Sequence, residues 1–188
     1  MAYELRSARY LAADALCQVI RPGDTVIDAT LGNGHDTCML ADLVGEGGHV
    51  IGFDIQPDAV ERTAAALTEK GLISRCTLYA EGHQHIAQRV TIPVRAAVFN
   101  LGWLPGGDKS ITTLWETTQT AIAAALNLLE KGGVCTVCAY PGHAEGDRER
   151  YALAEYLSAL RPQEYNVLHN RFLNAGPGAP ECFIIQKQ

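Results

Sequence analysis

The segment TVIDATLGNGHDT, residues 25–37, constrains the fold of this chain more than any other stretch. Its first five residues are β-branched or apolar apart from one acid, which is typical of a buried central strand in a parallel sheet. Gly32 and Gly34 follow, and they allow the backbone to turn sharply with its N–H groups exposed. Asp36 and Thr37 then stand where a helix begins. A strand, a glycine turn and a helix N-terminus in this order predict a ligand-binding turn in an α/β sheet.

Length and composition describe an ordinary globular chain, and we expect residues 1–188 to form a single domain. Hydrophobic residues make up 47% and charged residues 19%, which allows a sizeable buried core. The sequence contains no run of about 18 apolar residues of the kind that spans a membrane. The start, MAYELR, also lacks the basic stretch and apolar block of a signal peptide, so we expect a cytoplasmic protein without a membrane partner.

The cysteines are scattered along the chain, mostly inside apolar segments, which favours reduced and buried thiols. Cys135 and Cys138 have the spacing of half a zinc site, but no second pair accompanies them. They also lie in a predicted core strand, where residues three apart point to opposite faces of the sheet. We therefore expect no metal site.

Helical and alternating hydrophobic patterns follow one another along the chain, which predicts an α/β sheet. The apolar spacing predicts a long helix at residues 110–131, with Leu114 on its buried face and with Gly132 and Gly133 as its cap. The last two strands are joined without a helix, so we expect an antiparallel hairpin at one edge of the sheet. The other predicted helices are residues 7–20, 37–44, 57–70, 83–89 and 144–160, and the predicted strands are 25–29, 48–54, 76–80, 96–100, 134–140, 165–169 and 182–186.

Two acids stand at the ends of the first two predicted strands. Asp28 lies in the first strand and Asp54 ends the second, and in a doubly wound sheet both strand ends open onto the same crevice. An acid at the end of the second strand can accept both hydroxyls of a ribose, which indicates a nucleoside-containing cofactor. Dinucleotides and S-adenosylmethionine (SAM) both contain a ribose, so these two acids alone do not separate an NAD-linked oxidoreductase from a methyltransferase.

The glycine pattern favours SAM over a dinucleotide. A dinucleotide site requires G-x-G-x-x-G, but Thr37 stands where the third glycine or an alanine belongs. The chain also lacks room for a separate substrate domain. An acid followed by small residues at two-residue steps instead resembles motif I of the class I SAM-dependent methyltransferases, and the matching residues are Asp28, Thr30, Gly32 and Gly34.

A second informative block, FNLGWLPGGD at residues 99–108, follows the predicted fourth strand. In class I methyltransferases that strand end faces the transferable methyl group, and amino-group methylases often place an Asn or Asp there before a proline-rich turn. By this resemblance the side-chain carbonyl of Asn100 accepts a hydrogen bond from the attacking amine and directs its lone pair to the methyl carbon. Trp103 either stacks on a nucleobase or forms a hydrophobic lid.

Three blocks together, DATLGNGHDT at 28–37, FNLGWLPGGD at 99–108 and YPGHAEG at 140–146, resemble the MnmM/YtqB-like family, long labelled as rRNA methylases. The resemblance covers nearly the whole chain. It implies a Rossmann-like class I methyltransferase fold: a mostly parallel seven-stranded sheet with helices on both faces and an antiparallel last strand. The family commonly has Tyr where this chain has Trp103, and two adjacent prolines where Pro177 and Pro180 are separate.

The family resemblance implies a tRNA methyltransferase. Such an enzyme transfers the methyl group of SAM to the exocyclic amine of 5-aminomethyl-2-thiouridine at the wobble position, which gives 5-methylaminomethyl-2-thiouridine. A SAM-dependent enzyme that acts on rRNA or on a small-molecule amine is the alternative. A non-enzymatic RNA-binding protein on the same fold is a further one, because a fold does not determine a function.

The same resemblance assigns the candidate site residues. The cofactor is expected at Asp28, Thr30, Gly32, Asn33, Gly34, Asp36, Thr37, Asp54, Ile55, Gln56, Gly82, His83, Asn100 and Leu101. The substrate is expected at Gly102, Trp103, Leu104, Pro105 and Tyr140. Besides Asn100, the candidates for handling the amine's proton are Asp108 and His143. Asp108 is alternatively an N-cap for a helix that starts near Ser110, and His143 alternatively caps or turns the chain after Pro141.

A net charge of −6 argues against a protein that coats nucleic acid without specificity. It is compatible with one that binds a short RNA loop, here the anticodon loop, through a local patch. The basic residues expected to contact RNA are Lys109, Arg148, Arg150, Arg161 and Arg171, although each is alternatively a charge on a solvated helix face. An apolar helix face or a sheet edge would also allow a homodimer.

Overall fold

The computed structural model describes residues 7–104 and 106–188, and its centre is a seven-stranded sheet. The strands are β1 (Thr25–Asp28), β2 (His49–Phe53), β3 (Cys76–Tyr79), β4 (Val94–Asn100), β5 (Leu129–Ala139), β6 (Tyr165–Asn170) and β7 (Glu181–Lys187). Their order is β3-β2-β1-β4-β5-β7-β6. The first five strands are parallel, and β7 is antiparallel to both β5 and β6. The predicted mostly parallel sheet with an antiparallel last strand is confirmed.

Helices cover both faces of the sheet. They are α1 (Ala8–Val19), α2 (His35–Val44), α3 (Pro57–Glu69), α4 (Ile86–Arg89), α5 (Trp115–Leu128) and α6 (Ala144–Ser158). The first three pack on one face, where Leu16, Leu40 and Leu67 are buried together. The other three pack on the opposite face around Ile86, Ile122 and Leu153. Each such fully buried side chain stabilises the fold by roughly 1.5–3 kcal/mol relative to its exposed state.

Strand β1 lies in the middle of the sheet and is buried on both sides. Val26 packs with the first group of helices and Ile27 with the second, and both are fully buried. Neighbouring residues of a strand point to opposite faces, so a central strand must be apolar in continuous sequence. This is why residues 25–29 were recognisable as a central strand from sequence.

The predicted long helix at residues 110–131 is wrong at its start. Helix α5 begins at Trp115, and Leu114 is 46% exposed instead of inward. The residues before the helix are held by tertiary bonds to the segment after β4. The backbone N–H of Thr113 donates to the carbonyl of Gly102 at 3.1 Å, and Thr112 forms an isolated bridge with Trp103. These bonds outweigh the helical propensity of the segment.

The same prediction is also wrong at the helix end. Strand β5 already begins at Leu129, which pairs with Val94 of β4. Gly132 has a φ of +77°, and the register of the two strands shifts between Val94 and Ala96, so the glycines form an irregularity in a strand and do not cap a helix. A side chain at Gly133 would place a Cβ 2.8 Å from the carbonyl of Arg95, so only glycine fits there.

Cys135 and Cys138 point to opposite faces, as the strand period requires. Cys135 belongs to the core with α4, α5 and α6, and Cys138 packs beside α1 with Cys182 of β7. All six cysteines are free thiols. Within residues 7–104 and 106–188, no group of three or more His, Cys, Asp or Glu side chains is arranged to hold a metal ion.

None of the helices in the described ranges is both long and apolar enough to cross a membrane.

Candidate active site

A cavity of about 540 Å³ opens at the carboxyl ends of the parallel strands. The glycine turn after β1, the end of β2, the corner after β3 and the segment after β4 supply most of its wall. The residues predicted from sequence that line it are Thr30, Gly32, Asn33, Asp36, Asp54, Ile55, Gln56, Gly82, His83, Asn100, Leu101, Gly102, Trp103, Leu104, Tyr140 and His143. Pro105 lies outside the described residues. The sheet therefore brings the separate motifs of the sequence to one place.

The glycine turn is folded tightly between the sheet and α3. Gly32 and Gly34 have φ values of +53° and +76°, a region that favours glycine. A Cβ at Gly34 would lie 3.0–3.2 Å from three atoms of Thr63. The chain can therefore approach α3 here only because no side chain is present.

The buried carboxylate of Asp28 stabilises this turn through hydrogen bonds. Its carboxylate accepts hydrogen bonds from the backbone N–H of Thr30 at 3.1 Å and from the hydroxyl of Thr37 at 2.7 Å. Burial, with the nearby charge of Asp36 as a second cause, raises the pKa of Asp28 to about 7. Asp28, Gly34 and Thr37 are not on the cavity wall of the described structure. These three residues shape the turn, and their predicted contact with the cofactor stays a prediction.

Asp54 joins the glycine turn to the end of β2. One carboxylate oxygen accepts from the backbone N–H of Gly32 and the other from that of Gln56, each at 2.9 Å. A carboxylate oxygen can accept more than one hydrogen bond, so both oxygens keep capacity for the hydroxyls of a ribose. Ile55 beside it is 64% exposed and also lines the cavity. The predicted ribose-binding role of Asp54 thus stays a prediction with suitable geometry.

His83 borders the cavity as a neutral side chain. It is buried, and its Nδ1 lies 3.3 Å from the carbonyl oxygen of Ala29, to which it can only donate. Burial lowers the pKa of His83 to about 4. With the proton on Nδ1, Nε2 is left as a hydrogen-bond acceptor.

Asn100 is held in one orientation at the end of β4. Its side-chain Nδ2 donates to Asp36 at 2.7 Å, and its backbone N–H donates to the hydroxyl of Thr30 at 2.8 Å. Because a carboxylate only accepts, the amide nitrogen must face Asp36 and the amide oxygen must face away from it. That oxygen is buried and has no hydrogen-bond partner among the described residues. Asn100 therefore lines the cavity and carries a buried acceptor without a partner in the described chain.

Arg9 holds Asp36 from the other side, and sequence reasoning missed it. Its Nε donates to the second carboxylate oxygen of Asp36 at 2.9 Å, and the residue lines the cavity. Arg9 lies in α1, far along the chain from the glycine turn, and no local pattern links the two. Each oxygen of Asp36 thus accepts one hydrogen bond within the chain and, like those of Asp54, can accept another, so its predicted contact with the cofactor stays a prediction.

Glu149 is a second residue that sequence reasoning missed. It is 2% exposed and accepts hydrogen bonds from the hydroxyls of Thr113 and Thr118, each at 2.6 Å. Burial raises the pKa of Glu149. A signal was available in the sequence, since Glu149, Leu153 and Leu157 are four residues apart and share the buried stripe of α6.

His143 caps α6 and stacks on Trp103. Its Nδ1 accepts from the backbone N–H of Gly146 at 3.1 Å, and its ring centre lies 4.2 Å from that of Trp103. Because the Nδ1 lone pair is used, a neutral ring carries its proton on Nε2 and can only donate there. The capping alternative is confirmed, and the geometry argues against His143 as the acceptor of the amine's proton.

Asp108 closes a turn outside the cavity. Its carboxylate accepts from the backbone N–H of Ser110 at 2.8 Å, and this bond lowers the pKa of Asp108. A lowered pKa makes a carboxylate a weaker base. The N-cap alternative is wrong because α5 begins later, at Trp115. Asp108 is not among the described residues of the cavity wall, and its role in proton handling stays a prediction.

Most of the basic residues predicted to contact RNA are paired within the chain. The pairs are Arg148 with Glu116 and Glu145, Arg150 with Glu181, and Arg161 with Glu164. Lys109 instead places its ammonium 5.4 Å from the ring centre of Trp103, beside the cavity. Lys109 is therefore the predicted cation best placed to meet a substrate.

The overall fold is shared with a solved methyltransferase. The structure of a Streptococcus mutans methyltransferase in complex with S-adenosylhomocysteine (SAH) is 35% identical and has a TM-score of 0.90. It covers 98% of this chain and 100% of that one. The fold is thus that of the class I SAM-dependent methyltransferases, and the prediction of SAM over a dinucleotide is confirmed.

The family is equally clear. Residues 50–186 match the family described as "Putative rRNA methylase", and the chain belongs to it. The crystal structure of an rRNA methylase from Clostridium thermocellum is 40% identical, covers 99% of this chain and 100% of its own, and has a TM-score of 0.97. The family predicted from the three sequence blocks is confirmed.

A curated relative carries a more specific name. It is the chloroplastic tRNA (mnm(5)s(2)U34)-methyltransferase of Arabidopsis thaliana, 40% identical over 91% of this chain. The chain spans 66% of the length of that relative.

The residues present fit SAM. Asp54 offers two carboxylate oxygens where a ribose is expected. A Cβ at Gly32 would lie 3.4 Å from Leu104 and would narrow the space beside the glycine turn. The unpaired oxygen of Asn100 lies at the end of β4, where the acceptor is predicted to meet the donor. When bound, SAM supplies an activated methyl group on a sulfonium. The protein's task is to bind donor and acceptor in line and to manage the acceptor's proton.

Proposed function

We propose that this chain methylates the exocyclic amine of 5-aminomethyl-2-thiouridine at the wobble position of tRNA, with SAM as donor. The product is 5-methylaminomethyl-2-thiouridine. The observation that carries the proposal is the buried, unpaired amide oxygen of Asn100 at the cavity. A buried acceptor without a partner costs free energy, so a partner with a hydrogen to donate is expected to bind there.

An amine is the acceptor that suits this oxygen. A neutral amide cannot remove the proton of a hydroxyl, whereas an amine in its neutral form attacks the methyl carbon once its lone pair is directed there. The pairs Asn100–Asp36 and Asp36–Arg9 hold the amide in the required orientation before the substrate arrives. The site therefore supports N-methylation better than O-methylation.

A base from a single-stranded RNA loop suits the rim of the cavity. Trp103 offers an aromatic face, Lys109 a cation, and the exposed side chains of Ile111 and Leu114 an apolar border. Sequence-specific RNA recognition usually targets such unstacked bases. With a net charge of −6, we expect binding confined to the anticodon loop with moderate sensitivity to salt. The name of the Arabidopsis relative supports tRNA as the RNA.

We place the reaction in the cytoplasm, which the free thiols of all six cysteines support. The predicted homodimer stays a prediction, and sedimentation of the purified protein tests it.

Nucleoside analysis of RNA tests the function. We expect tRNA from cells that lack the protein to lose 5-methylaminomethyl-2-thiouridine and to accumulate the aminomethyl precursor, while rRNA nucleosides stay unchanged. Re-expression of the wild type restores the nucleoside, and the N100A variant at equal abundance does not. A change in rRNA alone, or no change in either RNA, contradicts the proposal and favours rRNA or a small amine as the acceptor.

A further inference from the structure

The proposed acceptor brings a proton that the site has to remove. Alkylamines such as the Lys side chain have a pKa of roughly 10.4, so the acceptor is mainly an ammonium near neutral pH. An ammonium has no lone pair for the methyl carbon. Neither Asp108 nor His143 is placed to take this proton, and the amide of Asn100 is not a base.

Glu149 is a buried carboxyl beside the cavity with no cationic partner in the described chain. Its two oxygens accept only from the hydroxyls of Thr113 and Thr118. A buried carboxylate without a cation lowers the stability of the fold, so a function that offsets this cost is expected. The charged residues that act on it are Glu145 and Glu116, and the exposed Arg148 is paired with both of these.

Thr113 connects this carboxyl to the cavity. Its hydroxyl donates to Glu149 at 2.6 Å and accepts from the backbone N–H of Gly102 at 2.7 Å. A hydroxyl has two lone pairs, so one remains to accept another hydrogen bond. Thr113 lines the same cavity as Asn100, and Gly102 is two residues from Asn100 in the segment after β4.

We propose that Thr113 and Glu149 form a proton relay for the acceptor ammonium. The ammonium N–H bond breaks and its proton passes to the hydroxyl oxygen of Thr113, while the hydroxyl proton of Thr113 passes to the near carboxylate oxygen of Glu149. The freed nitrogen lone pair forms the bond to the methyl carbon as the carbon–sulfur bond breaks, and that electron pair stays on sulfur. The inference rests on the proposed function, because the proton donor is the amine named there.

Burial makes this carboxyl better suited to the task than an exposed one. The pKa of Glu149 is raised by desolvation, and this increases its affinity for a proton. As a carboxylate in a site of low polarity, it also attracts the incoming cation. Thr113 donates to Glu149 and accepts from Gly102, so two hydrogen bonds connect that charge to the segment after β4.

The pH dependence of methyl transfer tests the relay. We expect E149Q, which keeps the shape of the side chain, to lose roughly a hundredfold in rate near neutral pH, a usual size for acid–base catalysis. The loss should shrink about tenfold or more as the pH approaches that of the free amine's pKa, since the amine then arrives neutral. T113V should show the same pH-dependent loss, and T113S should restore the rate.

Matched controls separate a relay from mere support of the loop. T118V removes the other hydroxyl bound to Glu149, so we expect a loss of at most a few-fold that does not vary with pH. The melting temperature and the SAH affinity, measured by calorimetry, should stay near the wild-type values in E149Q and T113S. If E149Q does not fold, the comparison of T113V with T113S decides.

The outcomes are distinct. If the wild type is active and the ratio of its methyl-transfer rate to that of E149Q is constant across pH, the relay is overturned and the proposed function is not. A wild type that is inactive on tRNA carrying the aminomethyl nucleoside overturns the proposed function and the relay together. The relay is supported if the ratio of the wild-type rate to the variant rate falls with rising pH for both E149Q and T113V but not for T118V.

Discussion

The amide nitrogen of Asn100 donates to a carboxylate oxygen of Asp36 at 2.7 Å, across 64 positions of sequence. This bond decides which end of the amide faces Asp36. Because Asp36 can only accept, the oxygen of Asn100 is turned away from Asp36 and stays unpaired among the described residues. Arg9, bound to the other oxygen of Asp36, keeps the carboxylate from rotating away. The orientation of the Asn100 amide is thus fixed before any ligand binds.

Removing the Asn100 side chain should affect transfer and not donor binding. We expect N100A to lower the rate of methyl transfer by roughly 10²–10³-fold, the usual cost of one preorganised polar group. SAH affinity by calorimetry should stay within about threefold, because the other predicted cofactor residues, Asp54 among them, are unchanged. N127A, on the exposed end of α5, is the matched control and should keep both values. Equal loss of rate and of SAH affinity in N100A contradicts the orienting role.

Asp54 should matter for binding of the donor. We expect D54A to weaken SAH binding by about tenfold or more, because it removes the acceptor for the ribose and frees the backbone N–H groups of Gly32 and Gln56. D58A changes an exposed acid on the first turn of α3 and should leave the affinity unaltered. Isothermal calorimetry measures both variants. An unchanged dissociation constant for D54A means that the ribose assignment is wrong.

Asp28 and His83 should oppose each other in the pH dependence of stability. The pKa of Asp28 is raised from 3.8 in the unfolded chain to about 7 in the folded protein. Between these two pH values the folded protein keeps a proton on Asp28 that the unfolded chain has released. The contribution of Asp28 to the free energy of unfolding therefore falls as the pH rises. The pKa of His83 is lowered from 6.5 to about 4, so the unfolded chain binds the extra proton and stability rises with pH.

Substitution of Asp28 should therefore expose the effect of His83. We expect the free energy of unfolding of D28N to rise between about pH 4.5 and about 6.5, while the wild type changes less over that range. Asn keeps hydrogen-bonding groups for Thr30 and Thr37, so the fold should persist. Urea titrations at several pH values measure the slope. The variant H83Q should show the opposite slope, and identical profiles for D28N and wild type would refute the raised pKa.

A side chain at Gly34 should strain the turn and press it away from α3. We expect G34A to destabilise the protein by about 2–4 kcal/mol, because a positive φ and a clash with Thr63 act together. Gly71 has a similar φ of +70°, but a Cβ added there would meet nothing within 4 Å, so G71A should cost only about 1 kcal/mol. Urea midpoints at neutral pH give both values. Equal losses would show that contact with Thr63 does not matter.

Much of the fold was predictable because the signals were local. The central strand β1, the glycine turn and the acid after β2 follow from residue types within short windows, and the sheet then brings them together. The segment before α5 was not predictable in this way. Its helical pattern is real, but hydrogen bonds between Thr113 and Gly102 hold it out of the helix, and such bonds leave no periodic trace.

The class of cofactor, the mostly parallel sheet and the family could all be predicted from sequence, because they rest on short motifs, on the family resemblance of those motifs and on the alternation of strands with helices. Which polar groups act together was decided by tertiary packing. Arg9 meets Asp36 across 27 positions, and Glu149 meets Thr113 across 36, after the packing of α1 and α6 has carried them to the cavity. The difference arises because backbone preference acts between near neighbours, whereas the pairing of buried polar groups depends on what the finished core leaves beside them.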